Sequence, residues 1–423
     1  MIDAAQFVEA ARTRGFLRYA GVPCSYLTPF INYVIQDAAL HYVSAANEGD
    51  AVAISAGVAL AGQRAVTMMQ NSGLGNAVSP LTSLTWTFQL PQLLIVTWRG
   101  EPGQADEPQH ALMGPITPQM LETMDLAWEL FPSNPEDVEA VLDRACAFMD
   151  RTHRPYVLVM KKGSVAPFKL VGSGAPAPRS EVPPRLLDAS FHANTGSAAS
   201  AVTPSSEAPM SRPAAISSSL SPSRTEALAK VIARTPLSNT VVLATTGFTG
   251  RELYALEDRA NQLYMVGSMG CVATLALGLA LARPDLRVIA VDGDGAALMR
   301  MGLFATLGAY GPNNLYHLLL DNSAHDSTGG QATVSAGVSF ARIASACGYP
   351  WSEEGNDVGL IDRLLEGLDG GSHEQLPDAG EPSSGPRFAR LLTRTGSPAD
   401  LPRPSVTPVE VRARLQAHIG LTA

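Results

Sequence analysis

Two polar strand ends in the second half of the chain constrain its fold more than any other feature. The apolar run 286–292 predicts a buried strand that delivers a Gly-Asp-Gly turn at 293–295, and the residues after this turn predict a helix. A second apolar run, 315–320, ends in the Asp-Asn pair at 321–322. A strand, a helix and a strand of these lengths form one right-handed βαβ unit, so both polar ends should lie at the same carboxyl edge of one sheet.

The side chains at this edge indicate a cation that carries a phosphate group. A carboxylate at Asp294 and an amide oxygen at Asn322, beside the N-terminus of a helix, suit a hard divalent cation with a bound diphosphate. Each motif alone fits an ordinary turn or a helix cap equally well. Their spacing is more specific, and it matches the signature of enzymes that use thiamin diphosphate (ThDP).

The alternation of strand and helix signals predicts two α/β domains, each a doubly wound parallel sheet. Besides 286–292 and 315–320, the predicted strands are 65–70, 92–97, 155–160, 241–245, 263–266 and 387–392. With 46% apolar and 16% charged residues among 423, the composition suits strands that are buried on both faces. We predict a first domain at 1–168 and a second at 223–423. Between them, 169–222 is rich in Ala, Ser and Pro and predicts a flexible linker, and a Gly/Pro/Ser-rich stretch at 368–386 predicts a disordered loop.

Charge and cysteine usage narrow the class of protein. The net charge of −9 argues against a nucleic-acid partner, so an anionic substrate would have to be attracted by local donors and a metal. The four cysteines are scattered and show no CxxC spacing, which favours a reducing, cytoplasmic location. An amphipathic helix capped by Asp3 opens the sequence, and we expect neither a signal peptide nor a membrane-spanning segment.

Three further segments contain residues of the kind that a ThDP site needs. Glu48 begins a helix of small residues, although a lone acid there also favours the helix dipole. Glycines in the turn 267–270 let a backbone approach a flat ring, and Met269 adds a bulky apolar side chain that would be equally at home in a core. Thr246 and Gly247 follow a predicted strand and offer anion donors, but turns of this composition are common.

Longer strings of sequence resemble the phosphonopyruvate decarboxylase family. The narrowest match is Arg-Gly-Glu-Pro-Gly-x-x-Asp-Glu-Pro-Gln-His at 99–110. Sulfopyruvate decarboxylases are similar over much of the same length. The match runs through both predicted domains and excludes the linker and the predicted loop; its other strings lie at 71–84, 251–254, 267–270 and 326–331.

The resemblance implies a ThDP- and Mg²⁺-dependent enzyme that converts 3-phosphonopyruvate to phosphonoacetaldehyde and CO₂ in phosphonate or phosphinate natural-product biosynthesis. It also implies a pyrimidine-binding first domain and a diphosphate-binding second domain, without the middle domain of most ThDP decarboxylases. The cofactor would lie between the first domain of one subunit and the second domain of another, in a homodimer or homotetramer.

The resemblance also assigns roles to individual residues. Glu48 would hydrogen-bond the aminopyrimidine ring of the cofactor, and His110 would donate a proton during catalysis. The Mg²⁺ ligands would be Asp294, the Asn322 side chain and the Ala324 carbonyl. The other predicted cofactor contacts are Thr246, Gly247, Gly267, Ser268, Met269, Gly293, Gly295 and Ala296.

The predicted substrate contacts are Ser25, Asp106, His110 and His325. Ser25, which is also a predicted catalytic residue, stands where related decarboxylases carry an acid. A neutral hydroxyl suits an anionic substrate, because a carboxylate would repel it.

Alternatives to this function remain open on the sequence. Lysines that are common in the family are replaced by Ala105 and Phe248, so another 3-substituted pyruvate, such as sulfopyruvate, is an alternative substrate. A second alternative is a ThDP carboligase of the acetolactate synthase type, although such enzymes generally carry the middle domain. A third is a non-catalytic nucleotide-binding protein, for which the Gly-Leu-Gly at 73–75 is weak evidence because no GxGxxG motif opens a helix after a strand.

Overall fold

Two six-stranded parallel sheets form the framework of the protein, and both have the same strand order. The computed structural model describes residues 1–172, 176, 178–186, 221–366 and 384–421. Counting strands from the start of each sheet, the order is 2-1-3-4-6-5 in both. The first sheet contains β1 Phe16–Gly21, β2 His41–Ser44, β3 Arg64–Gln70, β4 Leu93–Thr97, β5 Ala127–Leu130 and β6 Tyr156–Met160.

The second sheet repeats this arrangement, with one small hairpin added. Its strands are β7 Thr240–Ala244, β8 Gln262–Tyr264, β9 Arg287–Gly293, β10 Leu315–Asp321, β13 Trp351–Gly355 and β14 Arg387–Leu392. The hairpin strands, β11 and β12, are Ala324–His325 and Gln331–Ala332. The prediction of two parallel α/β sheets is therefore confirmed.

Helices cover both faces of each sheet, as expected for strands that are buried on both sides. The first half contains α1 Ala4–Thr13, α2 Thr28–Ile35, α3 Glu48–Leu60, α4 Leu74–Pro80, α5 Trp86–Phe88, α6 Met113–Thr123 and α7 Val138–Thr152. The second half contains α8 Arg224–Arg234, α9 Phe248–Leu256, α10 Val272–Ala282, α11 Asp294–Met299, α12 Leu303–Tyr310, α13 Phe340–Ala346, α14 Gly359–Leu364 and α15 Pro408–His418.

Eight of the twelve strands in the two sheets were predicted, whereas three strands at sheet edges were missed. The edge strands β2 and β5 are largely exposed or half-buried, so their sequences lack the continuous apolar run that marks a central strand. The third, β13, is buried but contains two glutamates, Glu353 and Glu354, which pair with arginines instead of forming an apolar pattern. The inner strand β1 was also missed, because Arg18 interrupts its short apolar run.

The two halves of the chain pack against each other through α3 and α10. Every residue of α3 after Glu48 is buried, and so is almost all of α10. Glycines permit the close approach of these helices. A Cβ atom added at Gly57 would collide with the carbonyl oxygen of Leu275, and one added at Gly278 would collide with that of Ile54. One apolar core therefore runs continuously from α3 into the second sheet.

The predicted linker is described only in part. Within it, residues 178–186 lie against the second sheet: Arg185 exchanges backbone hydrogen bonds with β13, and Arg179 donates to the carbonyl oxygens of Gly308 and Gly311. The rest of the linker from 187 to 220, and the predicted loop at 368–386 up to residue 383, lie outside the described residues.

Among the helices in the described ranges, none combines the length and apolar character needed to cross a membrane.

Candidate active site

The carboxyl edge of the second sheet forms a cleft that collects most of the predicted cofactor residues. Strands β9 and β10 pair in register, with Gly293 opposite Leu320, so the two polar strand ends meet as predicted. The ends of β7, β9 and β10 and the turn after β8 supply the lining. It includes Thr245, Thr246, Met269, Gly293, Asp294, Gly295, Ala296, Asn322, Ala324 and His325.

Asp294 brings a buried carboxylate to this cleft. It is the first residue of α11, and the Thr333 hydroxyl donates a hydrogen bond to one of its oxygens. Burial, together with repulsion from Asp321, raises the pKa of Asp294 to about 6. The nearby Arg390 is already shared between Asp321 and Glu354. A cation bound at Asp294 would therefore compensate a charge that the surrounding groups leave poorly neutralised.

The backbone after β10 orients the other two predicted metal ligands. The Asn322 amide nitrogen donates to Asp326 at 2.7 Å, and its amide oxygen accepts from the Ala324 N–H. Ser323 adopts a φ of +55°. A non-glycine residue in the left-handed region is costly, and such residues concentrate at functional sites.

A carboxylate, an amide oxygen and a backbone carbonyl are hard oxygen donors of the kind that Mg²⁺ binds. Within the described parts of the chain, no group of three or more His, Cys, Asp or Glu side chains could hold a metal ion. The predicted ligand set in this cleft contains one carboxylate, Asp294, together with the Asn322 side chain and the Ala324 carbonyl.

The turn after β7 provides donors at the opposite side of the cleft. The Thr245 hydroxyl is buried and has no hydrogen-bond partner. Thr246 is half-buried, and Gly247 has a φ of +91°, which favours glycine. An unpaired buried hydroxyl costs free energy unless a ligand satisfies it, so this turn fits an anionic group such as a diphosphate.

The predicted cofactor turn at 267–270 lies where the two halves of the chain meet. The Ser268 N–H donates to the Ser83 hydroxyl at 2.9 Å, and Ser268 itself is buried with a φ of +51°. A Cβ atom on Gly267 would come within 2.7 Å of Ser83. Met269 is half-buried, and its methyl group lies beside Gly295. The predicted apolar wedge thus borders the part of the cleft that Gly295 lines.

Glu48 lies on the first half, close to the same boundary. It begins α3, and its carboxylate accepts a hydrogen bond from the Asn76 amide at 2.8 Å. Arg300, from the second half, donates to Asn47 at 2.8 Å and forms an ion pair with Asp50 at 3.3 Å. The Arg300 side chain packs against both Gly49 and Gly270.

One arginine thus connects the neighbourhood of Glu48 to the 267–270 turn within a single chain. The expectation that the cofactor lies between subunits stays a prediction.

The predicted substrate residues fall into two groups. His325 lies in the cleft of the second sheet, with its ring against Gly295. Ser25, Asp106 and His110 follow β1 and β4 at the carboxyl edge of the first sheet. His110 is buried, and its Nδ1 has no hydrogen-bond partner.

Asp106 is fully engaged by the protein. Its carboxylate accepts from Arg99 and from the backbone N–H groups of Gly100 and Glu107, each at 2.8 Å.

Several residues that shape the site were not predicted from the sequence. Asn76 holds Glu48, Thr333 holds Asp294, and Arg300 joins the two halves. Arg390 is the one with a recognisable signal, because a charged residue inside the predicted strand 387–392 has to be paired when that strand is buried.

Comparisons with known proteins are consistent with this geometry. The model of the thiamine pyrophosphate enzyme N-terminal TPP binding domain matches residues 3–121, and that of the C-terminal TPP binding domain matches residues 247–359. The phosphonopyruvate decarboxylase of Streptomyces viridochromogenes is 40% identical over 420 residues, which covers 99% of this chain and 95% of that protein.

Two more distant relatives extend the comparison. The sulfopyruvate decarboxylase of Methanosarcina acetivorans is 28% identical and covers 81% of each chain. The structure of the thiamine diphosphate-dependent 4-hydroxybenzoylformate decarboxylase from Rhodococcus jostii RHA1 aligns with a TM-score of 0.64 at 15% identity, covering 94% of this chain and all of the other. The last comparison concerns the fold alone.

Proposed function

The chain belongs to the phosphonopyruvate decarboxylase family of thiamine pyrophosphate enzymes, and from this premise we propose that it converts 3-phosphonopyruvate to phosphonoacetaldehyde and CO₂. The observation that carries the proposal is the 40% identity to a phosphonopyruvate decarboxylase along 99% of the chain. The cofactors would be ThDP and Mg²⁺, and the pathway would be phosphonate or phosphinate natural-product biosynthesis. We also propose a cytoplasmic homodimer or homotetramer.

In this proposal the second half of the chain holds the charged end of the cofactor. Asp294, Asn322 and the Ala324 carbonyl would bind Mg²⁺, and the turn at Thr246 and Gly247 would contact the diphosphate. The support is the cleft that all five line or border, together with the oxygen-rich donor set. The turn 267–270 would contact the rings of the cofactor, with Met269 as the apolar wedge.

The first half would supply the groups that act on protons. When bound, ThDP provides the electron sink that loss of CO₂ from a 2-oxo acid requires. Glu48 would hydrogen-bond the aminopyrimidine ring, and the Asn76 amide, at 2.8 Å, would fix the orientation of its carboxylate. His110 would return a proton to the carbon that loses CO₂, and its unpartnered buried nitrogen supports this role.

Decarboxylation assays with three 2-oxo acids test the proposal. CO₂ release should be measured from 3-phosphonopyruvate, sulfopyruvate and pyruvate, with ThDP and Mg²⁺ present, with ThDP omitted, and with EDTA added. We expect 3-phosphonopyruvate to give the highest kcat/KM and turnover to depend on both cofactors. A preference for sulfopyruvate would assign the alternative substrate, and condensation of two pyruvate molecules would assign the carboligase.

If none of the three acids releases CO₂ and ThDP does not raise Tm, only the non-catalytic binding function remains. Sedimentation of the cofactor-loaded protein separates a dimer from a tetramer, and a monomer with full activity would contradict sites shared between subunits.

A further inference from the structure

The guanidinium of Arg99, at the carboxyl edge of the first sheet, is held by two neighbouring side chains and still has an N–H group available to a ligand. Arg99 follows β4, and its Nε donates to Asp106 at 2.8 Å while its Nη2 pairs with the other carboxylate oxygen. The guanidinium also lies over the Tyr26 ring, with its carbon 4.9 Å from the ring centroid. The pairing with Asp106 and the stacking on Tyr26 determine the orientation of the plane.

The remaining nitrogen of this guanidinium points toward Ser25. Arg99 Nη1 lies 3.4 Å from the Ser25 hydroxyl, a long and therefore weak hydrogen bond. The Ser25 side chain is exposed, whereas only 16% of the Arg99 side chain is. An anion placed between these two groups would receive a charge-assisted hydrogen bond from Arg99 and a second hydrogen bond from Ser25.

We propose that Arg99 and Ser25 bind the phosphonate group of the substrate, and that Asp106 positions Arg99 instead of contacting the substrate. The inference rests on the proposed function and deepens it, because it names the residues that select the acidic 3-substituent. Asp106 has no need of a further donor, since Arg99 and two backbone N–H groups already occupy its oxygens.

Arg99 is also tied to the position of Glu48. The Asn71 amide donates to the Arg99 carbonyl at 2.8 Å, and its oxygen accepts from the Arg99 N–H at 3.3 Å. Asn71 begins the single turn Asn71–Gly73, and the Glu48 side chain packs directly against Gly73. One short turn therefore sets the separation between the proposed phosphonate contact and the proposed ring contact.

Lys161 is the competing cation at this edge. It follows β6, pairs with Glu101 at 2.5 Å, and lies 5.5 Å from the centre of the Trp98 ring. Its side chain is 43% exposed, compared with 16% for Arg99. We favour Arg99 because a partly desolvated guanidinium offers stronger and better-oriented hydrogen bonds than an exposed ammonium.

The test uses the full-length enzyme loaded with ThDP and Mg²⁺ and compares Arg99→Gln with Arg64→Gln. Arg64 is a matched control because it is paired with Asp150 and stacked on Phe16, but it lies at the opposite, amino end of the same sheet. We expect Arg99→Gln to raise KM for 3-phosphonopyruvate about 10- to 150-fold, with a smaller effect on kcat. Arg64→Gln should leave both constants unchanged.

Binding of 3-phosphonopropanoate, which lacks the keto group, provides a readout independent of turnover. By calorimetry its Kd should rise with Arg99→Gln in parallel with KM. Arg99→Lys should be intermediate in both readouts, because it keeps the charge but cannot span Asp106 and the ligand together. This conservative variant carries the test if Arg99→Gln does not fold.

Unchanged KM and unchanged 3-phosphonopropanoate binding in both Arg99 variants would overturn the inference, as would a loss seen with Lys161→Gln instead. If the wild-type enzyme does not turn over 3-phosphonopyruvate at all, the proposed function fails; if it does and the Arg99 variants match it, only this inference fails.

Discussion

The two halves of the chain are one sheet topology used twice, yet their carboxyl edges have opposite electrostatic character. In the second half, Asp294 is a buried carboxylate beside another carboxylate, Asp321, and burial and repulsion raise its pKa to about 6. In the first half, Asp106 is fully paired with Arg99, and its pKa is lowered by that pairing. The edge of the second sheet has a carboxylate that, among the described residues, lacks a paired cation, whereas the edge of the first sheet has a guanidinium that can donate to an anion.

The contrast suits a division of roles in which the sheet topology sets the position of a ligand site and the loops after the strands set the kind of ligand. In a parallel sheet the carboxyl ends of all strands face one side, and ligands of α/β proteins generally bind at that edge. The side chains that follow equivalent strands then differ between the two sheets. The fourth strand of the first sheet ends before Arg99, whereas the fourth strand of the second sheet ends before Asn322. We propose that cation and diphosphate binding belong to one half and anion recognition and proton transfer to the other.

Removing the carboxylate of the second half should have the largest effect. Asp294→Ala deletes the proposed charged metal ligand, so we expect decarboxylation to fall by about 10³-fold or more. The ThDP- and Mg²⁺-dependent rise in Tm should disappear with it. Asp285→Ala is the control, because Asp285 is an exposed partner of Arg283 away from the cleft. A normal cofactor-dependent shift in Asp294→Ala would place the metal elsewhere.

Removing the proposed catalytic acid of the first half should separate catalysis from binding. Glu48→Gln keeps the shape of the side chain but not its charge, so kcat should fall about 10²- to 10⁴-fold. The cofactor-dependent rise in Tm should persist, because in the proposed arrangement the other half would hold the charged end of the cofactor. Glu9→Gln, at a surface ion pair with Arg12, serves as the control.

Loss of cofactor binding in Glu48→Gln would contradict the proposal that the second half binds the cofactor while the first half acts on protons. Wild-type activity in both Asp294→Ala and Glu48→Gln would refute the site assignment as a whole.

The ion pairs beneath the second edge should matter for stability. Arg390 is 4% exposed and shared by Asp321 and Glu354, so Arg390→Met would leave two buried carboxylates without their cation. We expect a loss of about 3–5 kcal/mol in the free energy of unfolding, measured by urea denaturation. Arg387→Met on the same strand is the control. Arg387 stacks on Trp351 without a carboxylate partner in the described contacts, and its loss should cost less than about 2 kcal/mol.

Arg390 also illustrates which parts of the site the sequence could predict. The meeting of Asp294 and Asn322 was predictable because both end strands of one βαβ unit, whose geometry is local and has a fixed hand. Arg390 and Thr333 reach the same place from separate later segments, and no spacing rule connects them to Asp294. A local pattern predicts where a strand ends. It does not predict which distant side chain neutralises a charged residue at that end.

The same limit applies to the boundary between the halves. Glu48 could be selected as the first residue of a helix of small residues, but its partner Asn76 lies on another helix, α4. The nearby Arg300 comes from the second half, so its position depends on how α3 packs against α10. That packing relies on Gly57 and Gly278, which read in the sequence as two ordinary glycines within apolar helices. Their role emerges only when the two helices are seen to cross.

The smallest expected effect concerns Asp50, at the boundary between the halves, and it tests whether this carboxyl group is charged in the folded protein. Asp50 is 1% exposed and forms an ion pair with Arg300, yet burial raises its pKa to about 6 despite that pair. The folded protein then holds a proton that the unfolded chain releases near pH 4. The contribution of Asp50 to stability therefore falls as the pH rises from about 4 to 6, by about 1–3 kcal/mol.

Asp50→Asn cannot ionise, so its free energy of unfolding relative to wild type should increase across this pH window and stay constant above it. Urea denaturation at pH 4.5 and at pH 7.5 measures the difference, and all other titrating groups cancel because the two proteins share them. Parallel pH dependences would mean that Arg300 compensates Asp50 fully. The boundary would then resemble the fully paired Asp106 of the first edge, and not the poorly compensated Asp294 of the second.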